Sequence, residues 1–206
     1  MCFKLLVTKF KWKLFWLFRK KSEAKKYLHN ADLEHRKVLA NIIKSFKVHN
    51  LLDVGCGNGS NIYVIQKFIN NSDFKFSGID ISSSSISLAK SRKYVFPNKV
   101  DFSQVDILNF FKINKNIFDC ILFDATLMYL TPKELIRVMK MTSKISNNLI
   151  IHELTTKTQT IITKNGFIHD YEGIFQSLKF NYEQKKSVRS DALWKKYGNL
   201  FIVKTN

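Results

Sequence analysis

Proline occurs twice in this sequence and glycine seven times among 206 residues. That scarcity excludes a collagen-like chain or a Pro/Gly-rich low-complexity chain, and neither a long linker nor an internal repeat is present. The three cysteines, Cys2, Cys56 and Cys120, are odd in number and fit neither a disulfide framework nor a zinc site by spacing. A reducing, cytoplasmic compartment is the expectation. Acids are few, 16 against 34 basic residues, for a net charge of +18. An excess of that sign points to an anionic partner, nucleic acid or a membrane surface. Only five of the basic residues are Arg, the planar fork that grips phosphate at two points. A general compositional bias toward Lys therefore accounts for part of the charge.

Apolar residues make up 45% of the chain, enough for a real core, and the length suits one α/β domain with a short appendage. The organising stretch is Leu51-Leu52-Asp53-Val54-Gly55-Cys56-Gly57-Asn58-Gly59. It reads as a buried strand running into a glycine turn, followed by a helix over 60–69 with Ile62, Ile65 and Ile69 on one face. Glycines let a ligand approach the main chain closely, and a helix start offers unpaired N–H groups. The spacing is G-x-G-x-G. A dinucleotide fingerprint would need a third glycine where Ser60 stands, which disfavours a dinucleotide-binding reductase. Asp80 ends the next strand-like run, 74–80, where an acid can accept hydrogen bonds from ribose hydroxyls.

With these two motifs the sequence resembles the class I S-adenosylmethionine-dependent methyltransferases, over residues 30–206. Asp53 to Gly59 looks like their first motif and Gly78-Ile79-Asp80 like their second-strand acid. The resemblance implies an α/β, three-layer Rossmann-like fold. Its sheet would be mostly parallel with an antiparallel last strand, in the order 3-2-1-4-5-7-6. It implies S-adenosyl-L-methionine as cofactor. Expected cofactor contacts are Asp53, Gly55, Cys56, Gly57, Gly59, Asp80, Ile81, Asp106, Ile107 and Asp124. Asp106 and Ile107, after a strand over 100–105, match the place where such enzymes meet adenine. Strands are expected over 118–124, 148–153, 180–187 and 199–204. Helices are expected over 31–47, from the serines after Asp80 to about 93, from Thr131 to about 144, and near 171–178. Thr131-Pro132-Lys133-Glu134 carries a capping box with Pro at the first helical position.

Residues 1–26 stand apart as a basic amphipathic segment, with nine basic residues against Glu23. Phe3, Leu6, Val7, Phe10, Leu14, Leu17 and Phe18 form a helical stripe, and Trp12 and Trp16 fall off it. The segment's longest apolar run, residues 14–18, is far short of the ~20 that span a bilayer. A secretory signal is not expected, because Lys9, Lys11 and Lys13 interrupt it. Three readings stand: a helix in an anionic membrane interface through residues 1–21, a packed helix or substrate lid, and a nucleic-acid contact.

Methyl transfer from a sulfonium needs mainly proximity, with a base where the acceptor is a hydroxyl or protonated amine. His152 is the first candidate, then Asp124 and Tyr129, with Glu153 and His169 behind them. Tyr27, His29, Glu34 and His35 fall near the expected rim and read as solvated surface. No carboxylate/histidine group has convincing metal spacing, and no metal is expected. The Asn/Asp-Pro-Pro-aromatic tetrapeptide of many N-methyltransferases is missing; the fourth strand ends in Phe123-Asp124-Ala125-Thr126. The leading expectation is a methyltransferase acting on a small-molecule, lipid or glycan acceptor, cytoplasmic or peripheral to a membrane. The alternatives are an RNA methyltransferase and a non-catalytic cofactor-binding module.

Overall fold

The computed structural model describes residues 2–20, 22, 34–46, 48–158, 160–164, 166–189 and 191–205, without the side chains of residues 2–6. Tyr27 and His29 lie outside the described residues, as does Leu33 of the expected 31–47 helix.

The sheet begins at its centre. β1 (Asn50–Val54), β2 (Lys75–Asp80) and β4 (Cys120–Asp124) pair in parallel, with β1 in the middle. β3 (Val100–Gln104) adds beyond β2, and β5 (Asn148–Leu154) beyond β4. Successive side chains of a strand point to opposite faces. Leu52, Val54, Ile121, Phe123, Leu149 and Ile151 accordingly enter one core, while Leu51, Cys120, Leu122 and Ile150 enter another. The result is three layers.

Helices cover both faces. On one side lie α2 (Glu34–Ser45), α3 (Ser60–Ile69) and α4 (Ser83–Ser91), through Leu39, Ile43, Ile62, Ile65, Ile86 and Ala89. On the other lie α5 (Ile107–Ile113), α6 (Pro132–Thr142) and α7 (Tyr171–Ser177), through Phe111, Leu135, Val138, Met139, Tyr171 and Phe175. The Thr131/Glu134 capping box is formed at the start of α6. Ser82 caps α4, accepting from the Ser85 N–H. Helix α5 is an addition to the expected elements. It starts because Asp106 caps it, accepting from the Leu108 and Asn109 N–H groups.

The last strands are β8 (Asn181–Lys186) and β9 (Gly198–Lys204), joined through α8 (Ala192–Tyr197). β9 runs antiparallel between β5 and β8. The sheet order β3-β2-β1-β4-β5-β9-β8 is the expected arrangement. The strand numbers differ because a small hairpin of β6 (Ile161–Thr163) and β7 (Gly166–Ile168) is inserted outside the sheet.

The N-terminal segment forms α1 (Cys2–Leu17). Four members of its apolar stripe face outward: Val7, Phe10, Leu14 and Phe18 are 49–73% exposed. The off-stripe tryptophans face the protein instead, with Trp12 and Trp16 both packing their rings on Tyr129. Among the described residues, no helix is long and apolar enough to cross a membrane.

Gly59 adopts φ +74°, and a Cβ there would run into the Tyr94 hydroxyl and the Phe102 ring. Gly59→Ala should therefore destabilise the protein by about 1–3 kcal/mol or more. Urea unfolding followed by circular dichroism should find a lower midpoint with an unchanged slope.

Candidate active site

Parallel strands end at one edge, and there the glycine turn, the strand-end acids and the loop after β4 enclose a cavity of about 700 Å³. Gly55 and Gly57 sit at φ 74° and 54° in its floor. A Cβ on Gly57 would meet nothing within 4 Å, so this side of the turn opens onto free space. The Gly57 N–H donates to Asp80 Oδ2 (2.9 Å) and the Ser82 N–H to Oδ1 (2.8 Å). Burial still holds the Asp80 pKa above its ordinary value.

Asp53 is 1% exposed, and no donor of hydrogen-bonding geometry reaches either oxygen. Burial, with the Asp124 charge second, pushes its pKa up to about 8; Asn61 and Arg36 offset part of this. Arg36 itself is buried, and its Nε donates to Asn61 Oδ1 (2.8 Å). Both Arg36 and Asn61 line the cavity.

Asp124 closes β4 between two imidazoles. Its Oδ1 lies 2.7 Å from His152 Nδ1, and its Oδ2 lies 3.2 Å from His35 Nε2. The two rings stack with centroids 5.2 Å apart. Despite full burial, the two histidines hold the Asp124 carboxyl well below the usual range. A carboxylate held so low is a weak proton acceptor. His152 Nε2 meets Ser187 Oγ at 2.7 Å, and burial lowers the His152 pKa.

The expected residues divide. Gly55, Cys56, Gly57, Asp80, Ile81, Asp106, Ile107, Asp124 and Tyr129 line the cavity. Asp53, Gly59 and His152 do not: Gly59 shapes the turn against Tyr94, and His152 stands behind Asp124. Glu153 and His169 serve the framework. Glu153 Oε1 accepts the Thr126 and Leu127 N–H groups, both at 2.6 Å, and its pKa is pushed up to about 8 by burial. His169 Nε2 donates to the Leu130 carbonyl (3.1 Å), and burial lowers its pKa to about 4.

His35 is 4% exposed, not solvated surface, because Asp124 draws its ring inward. Arg36 was invisible as a site residue: an Arg on a helix of mixed charge gives no sign of which way it points. Trp194 of α8 and Arg189 before it also reach the cavity, the guanidinium 4.1 Å over the indole.

Helix α1 forms the roof. Lys9, Trp12, Lys13 and Trp16 line the cavity from above. Lys9 pairs with Glu134, and Lys13 Nζ lies 3.0 Å from Asp106 Oδ2. Beyond the helix, Ser84 Oγ donates to the Arg19 carbonyl (2.7 Å).

A family model for a methyltransferase domain (Methyltransf_31) matches residues 45–202. The chain belongs to this family. Carboxy-S-adenosyl-L-methionine synthase of Campylobacter hominis is 31% identical over 102 residues, 49% of this chain and 42% of that protein. The match thus spans less than half of that relative's length. Among solved structures, a plantazolicin methyltransferase in complex with SAH has a TM-score of 0.70 at 16% identity, covering 98% of each chain. Magnesium protoporphyrin IX methyltransferase from Synechocystis PCC 6803, with bound SAM, has 0.64 at 13%, covering 89% of this chain and 84% of that one. At such identities the likeness is one of fold.

The chain carries a methyltransferase domain, and its cavity has room for the expected cofactor, S-adenosylmethionine. Space opens beside Gly57, and Asp80 and Asp106 line the same cavity, whereas Asp53 lies buried off it.

A carboxyl whose folded pKa exceeds its unfolded value binds a proton on folding. Between pH ~4 and about 8, Asp53 therefore makes the ligand-free protein less stable as pH rises. Asp53→Asn should raise the ligand-free Tm at pH 8, by roughly 2–4 °C per kcal/mol relieved. The gain should shrink toward pH 5. Calorimetric melts across this range check both the sign and the window.

Proposed function

We propose that this methyltransferase acts on a small-molecule, lipid or glycan acceptor at an anionic membrane surface. Residues 27–206 form the catalytic domain and residues 1–26 a basic amphipathic arm. The observation that carries the reading is the two-faced helix α1. One face roofs the cavity with Trp12, Trp16 and Lys13; the other offers Val7, Phe10 and Leu14 to the outside, extended by Phe18. Exposed aromatics flanked by Lys11 and Lys20 suit the headgroup region of an anionic bilayer.

In this reading the cofactor lies along the strand edge. Asp80 accepts the ribose hydroxyls with the lone pairs its two backbone bonds leave. Asp106 and Ile107 hold the adenine, while Gly55, Cys56, Gly57 and Ile81 form the walls. Asp53 and Arg36 take the amino-acid end, carboxylate to ammonium and guanidinium to carboxylate. Asp124 and Tyr129 flank the methyl group, with His152 orienting Asp124 from behind. The acceptor enters between Tyr129, Trp194 and Arg189, a wall of aromatic rings with one cation, which suits an amphiphilic molecule carrying an anionic group. The enzyme's work there is mainly alignment of acceptor oxygen or nitrogen, methyl and sulfur.

The net charge of +18 favours a second reading, an RNA acceptor. Methyl-labelled S-adenosylmethionine, incubated with the protein and a cell extract, separates the two. Label should enter lipid, glycan or small-molecule fractions; label in RNA, with affinity falling steeply with salt, would favour the second reading.

Two variants test the parts. Asp80→Ala should lose about 1–3 kcal/mol of S-adenosylmethionine affinity by calorimetry. Phe10→Ser with Phe18→Ser should abolish co-sedimentation with phosphatidylglycerol vesicles and leave cofactor affinity unchanged. Equal pelleting of this variant and the wild type would overturn the membrane reading.

A further inference from the structure

We propose that His35, Asp124 and His152 bind a divalent first-row metal ion of zinc-like ligand preference on the wall of the methyl-transfer cavity. The inference rests on the reading above for the acceptor and narrows it to one that presents a hydroxyl.

The three residues come from α2, the end of β4 and the middle of β5. No sequence spacing could announce them. One carboxylate oxygen stands 2.7 Å from His152 Nδ1 and the other 3.2 Å from His35 Nε2. All three ligand atoms lie within 4.8 Å of one another. Ligands held ~2.1 Å from a tetrahedral ion stand about 3.4 Å apart. Small ring movements therefore centre a cation among them. Two imidazoles and one carboxylate suit zinc, iron or cobalt; magnesium and calcium prefer an all-oxygen shell.

Two further features fit a metal centre. The back is closed and the front is open: His152 is 2% exposed and off the cavity, while Asp124 and His35 line it. Three protein ligands with an open side toward substrate is the pattern of a catalytic ion, whereas structural sites are closed. The far nitrogen of His152 is also tethered. Ser187 Oγ lies 2.7 Å from Nε2 and itself accepts the Arg189 N–H at 3.1 Å. A tether on the outer nitrogen holds the ring in place for ligation by the inner one.

Without an ion, the same contacts are N–H···O bonds. Ion binding would require a tautomer shift and a small movement of each ring. With the ion in place, an acceptor hydroxyl binding on the open side is acidified and its proton passes to solvent. The oxygen's electron pair then forms the O–CH3 bond as the methyl–sulfur pair returns to sulfur, leaving an ether and S-adenosylhomocysteine.

The test uses full-length protein freed of metal by chelation and titrated with Co²⁺ by visible absorption and with Zn²⁺ by calorimetry. One tight equivalent is expected, with d–d bands of nitrogen/oxygen ligation and without thiolate charge-transfer bands. His35→Gln and His152→Asn retain an N–H that can donate to Asp124 but lose the imidazole. Both should still bind S-adenosylhomocysteine and melt cooperatively, with metal affinity reduced at least tenfold. Ser187→Ala should lose about tenfold. A wild type without a stoichiometric site would overturn the proposal. So would cobalt bands from cysteine ligation, or both histidine variants binding like the wild type. This readout needs no acceptor. A hydroxyl acceptor that fails to take up label while the ion binds normally would overturn the acceptor reading alone.

Discussion

The site is governed by the burial of acids at one edge of the sheet. A parallel arrangement sends the carboxyl ends of its strands the same way, and here those ends carry Asp53, Asp80, Asp124 and Glu153. Burying ionised carboxylates is expensive unless each is hydrogen-bonded or paired. The fold meets the demand differently at each. Asp80 and Glu153 take backbone N–H groups from the turns that follow the strands. Asp124 takes two imidazoles. Asp53 and the Oε2 side of Glu153 are left short, each acid with a pKa pushed up to about 8.

The same constraint gives the N-terminal helix its orientation. Lys9 and Lys13 settle on Glu134 and Asp106, and Trp12 and Trp16 close over Tyr129. Once the charged and indole face is committed inward, the apolar stripe has nowhere to go but outward. Part of the chain's basic excess is therefore local complementation of acids around the cavity. A helix used in this way joins whatever its outer face touches to the accessibility of the cavity below.

What could be read from the sequence was local in origin. The glycine turn, the Thr131/Glu134 capping box and the both-faces-buried strands depend on residues a few positions apart. They placed the seven-stranded order, and eight of the ten expected cofactor contacts on the cavity wall. What failed to show was non-local. Periodicity found the stripe of α1 but not the direction it faces, since that is decided by acids more than ninety positions away. Asp106 read as a ligand acid, so its second office as the cap of α5 went unseen. Asp124 lies 89 positions from His35 and 28 from His152, and no pattern within either segment joins them.

The pairing is nevertheless dictated by the fold. Asp124 and His152 are register partners on adjacent parallel strands, so their side chains rise side by side from the same face. A slip of one residue would turn each to the opposite face. Helix α2 completes the arrangement from the side. His35 and Arg36 are neighbours in sequence but project roughly 100° apart around a helix. One meets Asp124 and the other meets Asn61 beside the glycine turn. A single turn of α2 thus reaches both the end of β4 and the helix that follows the glycine turn. Its packing against α3, the helix that begins at the glycine turn, sets the two at a fixed separation. Alignment of this kind is what an in-line methyl transfer asks of a protein, more than a strong base.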